Sequence, residues 1–67
     1  MNVKTLLNKL ILKEYQTIRI LDRTNDFFLE SRNKKEIVSQ CGKNKVSTFE
    51  YSMFGNCFIV SLHNLKK

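Results

Sequence analysis

Sixty-seven residues leave room for one small domain, and a chain of that size buries only about 60% of its unfolded surface. Twelve lysines and arginines against six acids give a net charge of +6, which favours nucleic acid or an acidic protein surface as partner. The longest apolar run is four residues, 57–60, too short for a membrane span or a secretory signal, and two cysteines without CxxC spacing beside a single histidine suit neither a disulfide scaffold nor a zinc site.

The charge has a second origin to weigh. Nine lysines, seven asparagines and no alanine, proline or tryptophan are what a low-GC genome produces whatever the function. A 42% hydrophobic content still argues for a packed domain over disorder. The expected location is the cytoplasm, with Cys41 and Cys57 as reduced, buried or half-buried thiols.

In chain order, the first element is an amphipathic helix. Val3, Leu6, Leu7, Leu10 and Ile11 stand at i, i+3, i+4, i+7 and i+8, a complete apolar stripe, with Asn2 placed to cap it. Leu12 falls on the polar side of that helix and is therefore a candidate contact residue. Residues 16–22 alternate as a strand, with Ile18 and Ile20 on one face and Thr17, Arg19 and Leu21 on the other. The run Asp22-Arg23-Thr24-Asn25-Asp26 is turn chemistry, and Asn25 suits a left-handed backbone. Residues 27–30 form the return strand, with Phe28 turned to the core and Phe27 and Leu29 outward.

A short second helix is expected from Asn33 to Gly42. Asn33 with Glu36 three residues on is a variant capping box, and Gly42 suits the left-handed residue that ends a helix. Lys34 and Lys35 sit in its first turn, where the helix dipole favours acids. The last third reads as a hairpin closed by Gly55-Asn56, with glycine supplying a positive φ. That turn sets Phe54 opposite Cys57 and stacks the apolar pairs Met53–Phe58, Tyr51–Val60 and Phe49–Leu62 on one inward face. Residues 65–67 are expected to be a frayed tail.

The element order α-β-β-α-β-β predicts a single α+β domain over residues 1–67: a four-stranded, mainly antiparallel sheet with the N-terminal helix across one face. Enzyme signatures are absent. Both glycines have turns to make, there is no phosphate loop or nucleophile elbow, and His63 lies about 20 Å along the strand from Cys57. No catalytic residue, metal or cofactor is expected.

Two surface groups remain as candidate sites. Arg32, Lys34, Lys35, Lys43 and Lys45 flank the second helix, and with its N-terminal N–H groups would serve a nucleic-acid backbone or an acidic partner. Phe54, Cys57 and Ile59 gather on the outer face near the hairpin turn and suit a protein contact or a homodimer.

The segments Ile18-Arg19-Ile20-Leu21-Asp22, Phe28-Leu29-Glu30, Val46-Ser47-Thr48-Phe49 and Phe58-Ile59-Val60-Ser61-Leu62, behind a leucine-rich helix, resemble small phage and prophage proteins of low-GC Gram-positive bacteria. Asn25 stands where glycine is usual in that group, and the chain is basic where those proteins tend to be acidic. The resemblance implies a mobile-element origin. It carries the expectation of a non-enzymatic protein that docks on a larger host or phage protein complex, of which an anti-CRISPR-like inhibitor of a defence nuclease is one form. The alternative is direct DNA or RNA binding through the second-helix cluster.

Overall fold

The computed structural model describes residues 1–63, and the lysines of the expected tail, Lys66 and Lys67, lie outside them. The order is α1 (Val3–Lys9), β1 (Thr17–Leu21), β2 (Phe27–Ser31), α2 (Lys34–Cys41), β3 (Val46–Ser52) and β4 (Cys57–Leu62), a small α+β domain with two helices and one four-stranded sheet. Among the described residues no helix is long and apolar enough to cross a membrane.

The strands lie in the order β2-β1-β4-β3. Both hairpins are antiparallel, but β1 and β4 meet in parallel at the centre. The sheet is therefore mixed, where a mainly antiparallel one was expected. The physical reason is that the two strands with the most aliphatic side chains, TIRIL and CFIVSL, gain most from central positions, and α2 supplies the crossover that brings them together in parallel.

α1 begins as its sequence predicts, with Asn2 accepting from the Thr5 amide at 2.8 Å. It stops two residues early. Leu10 turns to extended backbone (φ −89°, ψ 134°), so the helical stripe no longer sets the direction of Ile11 and Leu12. Ile11, expected in the core, is 84% exposed, while Leu12, expected outside, is half-buried and packs against the core.

Asn33 caps α2 by accepting from the amides of Lys35 (3.0 Å) and Glu36 (3.3 Å). The Glu36 carboxylate does not return to the cap; it accepts from the Ser31 hydroxyl at 2.8 Å. Gly42 is helical (φ −58°), not left-handed. Glycine is needed there for space, since a Cβ would lie 2.5 Å from the Val38 carbonyl oxygen.

The first turn holds to expectation: Asn25 has φ 66°, and Asp22 Oδ1 accepts from the Thr24 amide (2.8 Å), the Thr24 hydroxyl (2.6 Å) and the Asp26 amide (3.1 Å). A register irregularity at Ile20/Leu21 lets both Phe28 and Leu29 pack against the core, so Leu29 is not on the outer face. The second hairpin is displaced by two residues from its expected register. Ser52 faces Cys57, Tyr51 faces Phe58 and Phe49 faces Val60, and Met53–Asn56 form a four-residue turn. Asn56 carries the positive φ (50°), and neither glycine does. A shift of two leaves Thr48 to Ser52 on their predicted faces, because strand side chains alternate with period two, whereas a second register irregularity between Val46 and Thr48 sets Val46 opposite Leu62 and against the core.

One core cluster unites Val3, Leu6 and Leu7 of α1, Ile18 and Ile20 of β1, Ile37 and Cys41 of α2, and Val60 and Leu62 of β4. The opposite sheet face is polar around Thr17, Arg19 and Glu30.

Candidate functional site: a basic groove beside α2

The segment after Ser31 brings the sequence-predicted cations Arg32, Lys34 and Lys35 to the start of α2. Because α1 ends beside that point, two adjoining grooves form there. The larger, about 590 Å³, is lined by Leu10, Ile11, Leu12, Arg32, Asn33, Lys34 and Lys35. The smaller, about 310 Å³, is lined by Lys4, Leu7, Asn8, Lys34, Lys35, Val38 and Ser39. They share Lys34 and Lys35. Lys4, Arg32, Lys34 and Lys35 line this surface, no carboxylate does, and Leu7, Leu12 and Val38 give it an apolar floor.

Two features alter the expected phosphate site. Asn33 Oδ1 already occupies the amides of Lys35 and Glu36, so those donors are not open to an anion. Lys34 Nζ donates to the Leu10 carbonyl, holding the end of α1 against the start of α2. Lys34 is thus a structural tie as well as a surface charge, whereas Arg32 and Lys35 are exposed.

Lys43 and Lys45 do not join this surface. They come after the C-terminal end of α2, and eight residues of helix separate the two groups by about 12 Å. Their loop is bound to the start of α1: the Val3 amide donates to Asn44 O and the Lys4 amide to Gly42 O, both at 3.0 Å. The five predicted cations therefore form two groups, and Lys4, a cation of α1 that was not among the candidates, belongs with the first.

The predicted contact group at the hairpin is also dispersed. Phe54 is fully exposed in the turn, but Cys57 is completely buried beneath it and Ile59 is half-buried. The two-residue register shift is the cause, since it moves Phe54 off the strand and sets Ser52 opposite Cys57.

Phe49 and Tyr51, expected in the core, are 42% and 38% exposed. Phe58 lies between them, parallel to Phe49 (ring centroids 5.7 Å apart, planes 2° apart) and tilted against Tyr51 (4.8 Å, 56°). A usable signal was present: residues 57–60 are a continuous apolar run, as in a central strand, while β3 mixes aromatics with Thr48, Glu50 and Ser52, as an edge strand does.

Few groups are electrostatically perturbed. Glu30 is held below the usual carboxylate range by the Thr17 hydroxyl (2.7 Å) and by Arg19 (3.0 Å), and the same contact raises the Arg19 guanidinium. This is a surface ion pair on the open sheet face, screened by water and of little weight in stability. Burial pushes the Cys41 thiol up to about 11, the direction of an inert core cysteine. Among the described residues no three His, Cys, Asp or Glu side chains are grouped to hold a metal ion. No protein-family model matches the chain, nor does any curated protein or solved structure.

Proposed function

We propose that this is a non-catalytic binding protein that docks on an acidic surface of a larger protein through the groove between the end of α1 and α2. One observation supports the reading: Lys4, Arg32, Lys34 and Lys35 ring an apolar floor that no carboxylate interrupts. A phosphate backbone would use the cations alone and leave Ile11, Leu12 and Val38 wet. A protein surface with acidic side chains around an apolar centre uses both, with the charges steering encounter and the floor adding contact area. In this reading α1 covers the sheet through Val3, Leu6 and Leu7 and also forms one wall of the groove. A mobile-element protein that occupies a host or phage complex would act in this way, by steric occupation.

The test is a comparison of wild type with R32E/K35E, a pair that spares the Lys34 tie. Wild type should retain a partner from nuclease-treated host lysate, and the isolated partner should bind the double variant at least about tenfold more weakly, mostly through slower association. Equal retention by R32E/K35E would remove the groove from the interface. Loss of capture on nuclease treatment would favour direct nucleic-acid binding through the same cations.

A further inference from the structure

The aromatic shelf on the β3–β4 hairpin lies apart from the groove, and its chemistry differs. Phe49, Tyr51 and Phe58 occupy the sheet face that holds Ile18, Ile20 and Val60, since Phe58 is level with Ile18 and Phe49 is opposite Val60. The β1 and β4 aliphatics at this level are buried, yet Phe49 and Tyr51 remain about two-fifths exposed. The rings are fixed as well as open. Phe58 contacts both, and the Tyr51 hydroxyl is within hydrogen-bond reach of Gln16 Nε2 (3.2 Å) and Asn56 Oδ1 (3.4 Å). A pre-set group of ring faces costs a ligand little ordering.

We propose that Phe49, Tyr51 and Phe58 form a stacking platform for the unpaired bases of a single-stranded nucleic acid. Three considerations select this occupant. First, charge: the chain carries +6, so a polyanion is attracted and a second copy of the chain is repelled. The two carboxylates carried by the strands do not oppose this. Glu50 lies on the other sheet face opposite Ile59, and Glu30 is paired with Arg19. Second, area: about two-fifths of a ring that offers 150–250 Å² leaves roughly 80 Å² on Phe49 and on Tyr51. That is a small part of the ~800 Å² each side contributes to a stable protein interface, but it suits one base per ring. Third, shape: bases present flat π faces and stack on aromatics in a sequence-tolerant way.

The experiment is fluorescence anisotropy of the full chain with labelled dT12, rU12 and a 12-base-pair duplex, at low and moderate salt. Wild type should bind the single strands more tightly than the duplex and lose affinity steeply with salt. Phe49→Leu keeps the apolar bulk but removes the π face, and should weaken single-strand binding at least about fivefold without altering the salt slope. Phe49→Trp keeps a π face and should bind as well as wild type or better. The proposal is overturned if neither single strand binds at low salt, if the duplex binds equally well, if Phe49→Leu has no effect, or if Phe49→Trp is as weak as Phe49→Leu. R32E/K35E lowers the chain's positive charge, and with it overall affinity and salt slope, but should leave the Phe49→Leu ratio unchanged; a lost ratio would overturn the separate platform.

Discussion

The hairpin turn assigns opposite roles to two neighbouring residues, and substitution separates them. Asn56 sits at φ 50° while Gly55 does not have a positive φ. An alanine forced into the left-handed region costs about 1–2 kcal/mol, because its Cβ approaches the next carbonyl. Asn56→Ala should therefore destabilise by about 1–1.5 kcal/mol, and the weak 3.4 Å contact from the Tyr51 hydroxyl adds little. For a domain of this size that is a fall in Tm of roughly 5–10 °C. Asn56→Gly should stay within about 0.5 kcal/mol of wild type, since glycine accepts the same backbone freely. Gly55→Ala adds a Cβ 3.3 Å from Cys57 Sγ, a contact that a few tenths of an ångström relieve, and it restricts the unfolded chain by about 0.4–1 kcal/mol. Its net effect should be near zero. Thermal unfolding monitored by circular dichroism ranks the three variants. A two-residue Gly55-Asn56 turn with the positive φ on glycine requires the reverse order, so a larger loss from Gly55→Ala than from Asn56→Ala would refute the four-residue turn and the register it sets.

The core and the first turn yield three more expected outcomes. Leu7→Ala, at a side chain 1% exposed, should cost about 3 kcal/mol in urea unfolding, and a loss below about 1 kcal/mol would place Leu7 outside the core. Asp22→Ala removes an oxygen that accepts three hydrogen bonds and should cost about 2–3 kcal/mol, with Asp22→Asn losing less; faster amide exchange at Thr24 and Asp26 localises the effect. The Cys41 thiol ionises near its ordinary value of 9.0 when unfolded and at about 11 when folded. The unfolded chain therefore releases its proton first, and this contribution is intact below pH 9 and lost as pH rises from 9 to 11, by up to about 2–3 kcal/mol. Cys41→Ala should remove that share of the alkaline loss, and an unchanged pH profile would mean the thiol is open to water.

Local chemistry was legible in the sequence and long-range pairing was not. Asn2, Asn25 and Asn33 each occupy the cap or left-handed position that their short polar side chains predict, because those roles depend only on residues within four positions. The faces of Thr48 to Ser52 and of their β4 partners were also legible, because a slip of two preserves alternation. What pattern could not supply was the partner of β4. An antiparallel meander and a parallel β1–β4 pair bury the same side of Cys57–Leu62, and only the second makes β3 an edge. The same gap misplaced Phe49 and Tyr51. The cations are a separate case: the length of α2 parts Arg32, Lys34 and Lys35 from Lys43 and Lys45, which sequence proximity to one helix had made look like a single patch.

Helix length can be set against strand length on the sheet side that carries the core. α1 and α2 have seven and eight residues, about 10–12 Å of helix, whereas the seven residues of β3 span about 23 Å. Helices this short reach only part of a strand that long. α1 is bound to the start of β3, with the Val46 amide donating to Met1 O at 2.9 Å and an isolated bridge joining Asn2 to Lys45. The far half of β3, from Phe49 onward, is left with the Tyr51–Gln16 contact as its link to the chain before β1. The break at Leu10, where Lys34 donates to the Leu10 carbonyl, forms one end of the basic groove; if the same break also leaves the aromatic shelf open, the two surfaces are coupled. Lys34→Met tests this coupling. Removing the tie should loosen the end of α1 and alter both surfaces together, read as changed amide shifts at Leu10–Leu12 and at Tyr51, whereas shifts confined to the groove would show that the two surfaces are independent.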